Sequence, residues 1–232
     1  MIVARYVLAA VAALLAAPVQ AMVQDQSEDH FVIRHVVTVP ASPEETWVRL
    51  LNPAQWWSSE HSYSGDAANL SLDPRAGGCF CETLPSADGS EPRGSVEHMR
   101  VVYVERPRAL RMEGGLGPLQ SESLLGKLTI FLKPGEAGTQ ILFEYVVAGH
   151  FRQPVAAIAP AVDAVLGQQI LRLGAGLGAR VEAPAPDAAG LGDVSEFDRE
   201  MEAITDGEVP REEPAAEADA TEEESAPQII GR

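Results

Sequence analysis

The sequence has few of the residues on which metal sites and covalent catalysis depend. Cys79 and Cys81 are its two cysteines, and neither a C-x-x-C pair nor an H-x-x-x-H pair accompanies them. A structural zinc ion normally takes four ligands from such spacings. No order of Ser, His and Asp indicates a catalytic triad. The sequence therefore predicts no metal site and no cofactor, and it leaves the catalytic residues of any reaction unknown.

The sequence also lacks a second long apolar run. Arg5 precedes twelve apolar residues, Tyr6–Ala17, and Val19-Gln20-Ala21 then offers small residues of the kind that a signal peptidase reads. This run is shorter than the ~20 apolar residues that cross a bilayer. No cysteine follows it, which argues against a lipoprotein anchor. We favour a cleaved signal peptide at residues 1–21 over an uncleaved anchor. The mature protein is then expected to be periplasmic or extracellular, without integral membrane contact.

Basic residues are scarce, and most of the excess acid lies in one segment. The chain has a net charge of −17, and residues 182–232 alone hold 16 acidic and 3 basic residues. Such acidity argues against a nucleic-acid partner, because nothing would neutralise the phosphates. The segment is dominated by Ala, Pro, Glu and Asp. We therefore expect an acidic, mostly disordered tail.

One fragment of this tail has a helical pattern. Val194, Phe197, Met201 and Ile204 recur at helical spacing after Asp193, which suits an N-cap. The pattern favours a short helix over 193–205, which either packs on its own domain or binds a protein partner. Because short helices are marginal without packing, we favour the first alternative.

Residues 30–181, which follow a linker at 22–29, have the patterns of one organised domain. Strand-like segments recur and are separated by short turns rich in Gly, Pro and Asp. They are Phe31–Val39, Leu70–Leu84 with a turn at Gly77-Gly78, Val96–Glu105, Ala109–Glu113, Ser123–Lys133 and Gln140–Val147. Strands joined by short turns predict an antiparallel sheet.

Two helical regions accompany this sheet. Ser42, Pro43 and Glu45 have the order of a capping box with proline at the first helical position, directly after the first strand. Asn52-Pro53 then breaks the chain before Trp56-Trp57. Near the C-terminus, Pro160 is predicted to start a long helix with one apolar stripe. The fold class predicted is α+β: a curved antiparallel sheet gripping a long C-terminal helix, with two short helices after the first strand.

The order of these elements and several motifs resemble the START-like, or SRPBCC, superfamily and its helix-grip fold. The nearer likeness is to the branch of chaperone-ATPase activators and polyketide-cyclase-like proteins. It covers residues 30–181 and rests on residues 39–47, Asn52-Pro53 with Trp56-Trp57, residues 73–78, Asp88-Gly89, residues 94–96, residues 105–107 and residues 138–141. One position departs from the pattern: Gly167 is followed by Gln168, where relatives often carry Gly-Trp.

This resemblance implies a cavity between the sheet and the C-terminal helix that takes an apolar small molecule, lipid-like or polycyclic. A cyclase or dehydratase would use the same cavity, and a protein-interaction module of the chaperone-activator type is a third alternative. The signal peptide argues against a cytosolic chaperone partner. The candidate ligand-contacting residues are the aromatic side chains available to this space, together with Gln169 on the helix stripe: Trp47, Trp56, Trp57, Phe80, Tyr103, Phe143, Tyr145 and Gln169.

Each of these residues also has a structural interpretation. Large aromatic side chains usually fill a core, so we interpret any single one as a core residue more often than as a ligand contact. Gln169, Tyr145 and His35 are the candidates for polar anchors. His35 and His98 lie in predicted strands, where a histidine is more often a hydrogen-bonded filler than a general base, since catalysis needs a partner within ~3 Å.

The two cysteines have three interpretations. Their i, i+2 spacing in an extended strand places both side chains on one face, with Cα atoms near the upper limit for a disulfide. We rank free thiols that face the core or cavity first, a bridge between the two cysteines second, and metal ligation last.

Overall fold

The computed structural model describes residues 23–179, and the predicted signal peptide and acidic tail, including the 193–205 segment, lie outside the described residues. Within this range the chain forms eight strands and two α-helices. The strands are β1 (Val23–Gln26), β2 (His30–Val39), β3 (Leu70–Leu72), β4 (Cys79–Leu84), β5 (Gly94–Glu105), β6 (Ala109–Glu113), β7 (Ser123–Gly135) and β8 (Gly138–His150). The helices are α1 (Pro43–Leu50) and α2 (Val155–Ala175), and short 3-10 turns occupy the connections.

The eight strands make one antiparallel sheet in the order β1-β2-β8-β7-β6-β5-β4-β3. All neighbours are sequential except β2 and β8, which pair along ten residues from His30–Ala148 to Val39–Thr139. The strands after residue 30 agree with the sequence prediction. β1 lies in the segment that the sequence assigned to a linker, so this strand was not predicted. Its four residues are mostly polar and are too few to show the alternation typical of a strand.

Helix α1 starts as its sequence predicts. The backbone N–H of Glu45 donates to the Ser42 hydroxyl, and the Glu45 carboxylate accepts from the Ser42 N–H at 2.9 Å. Pro43 is the first helical residue, where a missing N–H costs nothing. The helix buries Trp47 and Leu50 against the sheet, in one cluster with Leu132 and Ile141.

Helix α2 begins at Val155, so the prediction that Pro160 starts it is wrong. The N–H groups of Ala157 and Ile158 already donate to the Pro154 carbonyl. Pro160 lies inside the helix and lacks the N–H that would bond the Ala156 carbonyl. Both residues are exposed, so water can take the place of that hydrogen bond.

The main core lies between the sheet and α2. Leu166, Ile170 and Leu173 of the helix pack with strand residues such as Phe31 and Phe143, all of them almost completely buried. The sheet thus wraps one face of a long helix, and the predicted α+β class is confirmed. Neither helix in residues 23–179 has the length and apolar character needed to cross a bilayer.

Candidate functional site

A cavity of about 680 Å³ opens between α2 and two loops. One loop runs from Trp57 to Tyr63, and the other from Leu116 to Glu122. The volume falls within the range of small-molecule sites. Helix α2 supplies the third wall through Ile158, Val162, Val165 and Leu166. These four residues have the i, i+4, i+7, i+8 spacing that places side chains on one helical face.

Trp57 lines this cavity, and its ring packs against two other aromatic rings. Its ring meets Phe80 edge-on, with ring centres 5.1 Å apart, and meets Trp56 with centres 5.5 Å apart. Trp56 in turn contacts Phe143 and donates its indole N–H to the Leu50 carbonyl at 3.1 Å. The cavity wall is therefore continuous with the packed core.

Gln169 attaches the first loop to α2. Its side-chain Oε1 accepts the buried Ser58 N–H at 2.8 Å, and its Nε2 donates to the Val165 carbonyl at 3.2 Å. One turn further on, Arg172 donates to the Trp56 carbonyl at 2.9 Å. Gln168 bonds His61 at 2.8 Å at the rim. Each of these bonds is made by an α2 side chain, so the helix holds this part of the chain at Trp56, Ser58 and His61.

Tyr145 fixes the second loop from inside the sheet. Its hydroxyl donates to the Gly114 carbonyl at 3.0 Å and accepts the Leu116 N–H at 3.1 Å. Burial raises the pKa of Tyr145 far above its usual range, so the hydroxyl keeps its proton. Gly126 makes room for this hydroxyl, because a Cβ there would overlap with the Tyr145 oxygen.

A buried pair, Glu82 and His98, supports the cavity from the side of β4 and β5. The Glu82 carboxylate accepts the backbone N–H groups of Tyr63 and Ser64 and a 2.9 Å hydrogen bond from His98 Nε2. Burial alone would raise the pKa of Glu82, but these hydrogen bonds from Ser64, Tyr63 and His98 bring it below the usual range. Burial also lowers the pKa of His98, more than the Glu82 charge raises it. The pair is therefore a carboxylate and a neutral imidazole at pH 7.

The structure gives the predicted site residues different positions. Among the eight, Trp57 lines the cavity, while Tyr145 and Gln169 position its two loops. Trp47, Trp56, Phe80 and Phe143 lie in the core behind it. Tyr103 lies outside that core cluster and donates its hydroxyl to Glu105.

His35 and His98 do not line the cavity, and each has an acidic partner. His35 Nε2 lies 2.9 Å from an Asp163 carboxylate oxygen and 3.1 Å from the Asp163 carbonyl, between β2 and α2. Its ring fills space that Gly167 leaves open, since a Cβ at Gly167 would lie 2.9 Å from His35 Cε1. The structural interpretation of these histidines as hydrogen-bonded fillers is consistent with these contacts.

Several cavity residues were missed by sequence reasoning. They lie in the two loops and have no periodicity that could have identified them: Glu60, His61, Tyr63, Leu116, Leu119 and Glu122. Tyr63 crosses between the loops and donates its hydroxyl to the Gly117 carbonyl at 3.1 Å. Loop positions of this kind are set by tertiary contacts that no local pattern encodes.

Cys79 and Cys81 form a disulfide, so the expectation of free thiols is wrong. Their Cα atoms are 5.4 Å apart, inside the usual range for a disulfide. For two cysteines at i and i+2 of an extended strand, the sequence predicted Cα atoms near the upper limit of that range. β4 pairs with β5 through a register shift between Phe80 and Cys81, which leaves His98 as the extra residue on β5. Within residues 23–179, no three His, Cys, Asp or Glu side chains converge as a metal site.

Comparisons with known proteins leave the family open. No protein-family model matches the sequence, and no curated protein matches it. Solved structures that it resembles include a protein from Mesorhizobium loti, with 19% identity, 62% of this chain and 94% of the other covered, and a TM-score of 0.44. Another is from Rhodobacter sphaeroides, with 20% identity, coverage of 67% and 96%, and a TM-score of 0.43. A likeness at this level carries no conclusion about function.

Proposed function

We propose that residues 30–181 form a START-like, or SRPBCC, helix-grip domain that binds an apolar small molecule, lipid-like or polycyclic. The observation that carries this proposal is the cavity of about 680 Å³ between α2 and the Trp57–Tyr63 and Leu116–Glu122 loops. Its walls are mainly apolar, with a few polar groups at the mouth, which is the usual composition of a small-molecule site.

Binding is favoured over a cyclase or dehydratase reaction by the positions of His35, His98 and Cys79, the side chains considered as a general base or a nucleophile. His35 and His98 are each held by a carboxylate away from the cavity, and Cys79 is in a disulfide. A general base must reach the proton that it abstracts. The N-terminal signal pattern supports an exported protein and argues against a cytosolic chaperone partner.

A matched pair of variants on α2 tests the proposal. Ala161 lines the cavity, whereas Ala164 is exposed on the same helix outside it. Ala161→Trp should fill the cavity and weaken binding of the neutral dye N-phenyl-1-naphthylamine about tenfold or more, since the dye would lose the apolar surface that it buries. Ala164→Trp should leave dye binding unchanged. Fluorescence titration of the exported full chain gives both affinities.

Two results would contradict the proposal. One is a wild-type protein that does not bind the dye, and the other is an Ala161→Trp variant that binds as tightly as Ala164→Trp. Mass spectrometry of organic extracts from the protein purified by its export route would identify a natural ligand, and the Ala161→Trp protein should have lost it.

A further inference from the structure

The mouth of the cavity has an unbalanced charge. Glu60 lines it on one loop and Glu122 on the other, while no lysine or arginine occurs among the described residues that line it. The remaining polar lining groups, including His61, Tyr63 and Gln153, are hydrogen-bonding side chains. A ligand that enters with its apolar part first leaves its polar end among these groups.

One arginine lies next to the mouth but is already bound. Arg152 Nε donates to both Glu122 carboxylate oxygens at 3.1 and 3.0 Å, and its Nη2 donates to the Ser121 hydroxyl at 2.9 Å. These bonds from Arg152 also keep the pKa of Glu122 below its usual range. The Glu122 charge is therefore compensated by a cation whose donors are directed at the protein.

Glu60 has no such compensation. Its side chain is exposed at the mouth, and within residues 23–179 it takes part in no ion pair. The aromatic rings of Trp57 and Tyr63 line the same cavity. A ring face attracts cations through its quadrupole. The cavity thus combines one uncompensated carboxylate at its mouth with two aromatic side chains in its lining.

From this arrangement we propose that the cavity selects apolar molecules whose polar end is a protonated amine and discriminates against those that end in a carboxylate. This rests on the proposed function and adds the chemical class of the ligand. A protonated amine gains attraction to Glu60, whereas a carboxylate at the same place is repelled. Because Glu60 is exposed, its effect on affinity is about two- to fivefold in each direction.

Three ligands with the same dodecyl chain test this selectivity on the full chain. Dodecylamine, dodecanol and dodecanoate differ only at the polar end, and each is titrated below its micelle concentration against bound N-phenyl-1-naphthylamine. The amine should displace the dye at the lowest concentration, the alcohol at a higher one and the carboxylate at the highest. The spread should shrink in high salt, since salt screens exposed charges.

A matched pair of charge variants assigns the effect to the mouth. Glu60→Gln should reduce the amine-to-carboxylate affinity ratio severalfold and leave dodecanol unchanged. Glu136→Gln removes the same charge from the exposed turn after β7, at the end of that strand opposite to the cavity loop, and should keep the wild-type ratio. A partly unfolded variant would bind both ligands less, so the amine-to-carboxylate affinity ratio is insensitive to a general loss of folding.

Two outcomes overturn the selectivity while leaving the proposed function intact. Dodecanoate could displace the dye as well as dodecylamine does, or Glu60→Gln could leave the ratio at its wild-type value. A wild-type protein that binds no dye would instead overturn the proposed function, and the selectivity with it.

Discussion

The imidazole of His98 donates a 2.9 Å hydrogen bond to Glu82, a carboxylate that is only 1% exposed and also accepts two backbone N–H groups of the cavity loop. The Glu82 side chain thereby joins strands β4 and β5 to the cavity loop at Tyr63, which lies nineteen residues before Glu82 in the chain. The pair stabilises the cavity wall without contacting its interior.

Glu82→Gln should destabilise the domain by about 1–3 kcal/mol, because the amide NH₂ group would face N–H donors that then lack an acceptor. Chemical denaturation measures the change. Glu97→Gln is the control on the neighbouring strand, where an exposed ion pair with Arg100 is removed at a cost of about 1 kcal/mol or less. Equal losses in the two variants would contradict the role assigned to Glu82.

The His98 imidazole should make stability fall in mild acid. Burial lowers the pKa of His98 in the folded state, whereas an unfolded histidine titrates near ~6.5. The unfolded chain therefore binds more protons below that pH, so stability is fully present above ~6.5 and is lost as pH falls through the folded pKa. Denaturation between pH 7 and 5 should show a steeper decline for wild type than for His98→Gln. Met99→Leu, a neighbouring buried change without a titrating group, should keep the wild-type slope.

Tyr145→Phe should cost about 1–3 kcal/mol, since it leaves the Gly114 carbonyl and the Leu116 N–H without their buried partner. Tyr63→Phe removes a hydroxyl that bonds Gly117 at the surface and should change stability by about 0.5 kcal/mol or less. Thermal unfolding of the two variants gives the comparison. A Tyr145→Phe protein as stable as wild type would mean that the second loop does not depend on this hydroxyl.

Gly167→Ala should destabilise the protein although alanine favours helices by about 1 kcal/mol. The new Cβ would lie 2.9 Å from His35 Cε1, and that ring is held by Asp163. In a His35→Asn background the shorter side chain removes the clash, so the same substitution should become stabilising. A double-mutant cycle by denaturation tests this reversal of sign, and additive effects would contradict it.

The disulfide predicts that the native protein has no alkylatable thiol among its two cysteines. Mass spectrometry after iodoacetamide treatment should show no adduct, and prior reduction with a dithiol should allow two. Adducts on the unreduced native protein would restore the free-thiol expectation.

Local signals made much of the fold predictable. The capping box of Ser42 and Glu45 involves only four consecutive residues, so it can be recognised from the local sequence. The alternation of apolar side chains in β2 and β8 likewise indicates which residues face the core. The start of α2 was misplaced because proline is typical of the first turn of a helix, whereas Pro160 lies inside α2 at an exposed position. The conformational preference of this one proline did not outweigh the packing of α2 against the sheet.

The site was less predictable, and the reason is physical. Trp57, Tyr145 and Gln169 were identified from their size or their place on a stripe, but which of them face the cavity depends on loop positions. Glu82 and His98 are sixteen residues apart and meet only because β4 and β5 pair with a register shift. No pattern in the sequence indicated this shift.

The pairing of β2 with β8 also determines when this domain can fold. Arg34 and Glu144 face each other across that pair at a separation of 110 residues, so β2 has no partner on that side until almost the whole domain has been synthesised. Contacts of such long range slow folding. Helix α2, which covers the apolar face of the sheet, follows later still. A nascent chain of this topology therefore cannot complete its sheet until β8 has been synthesised.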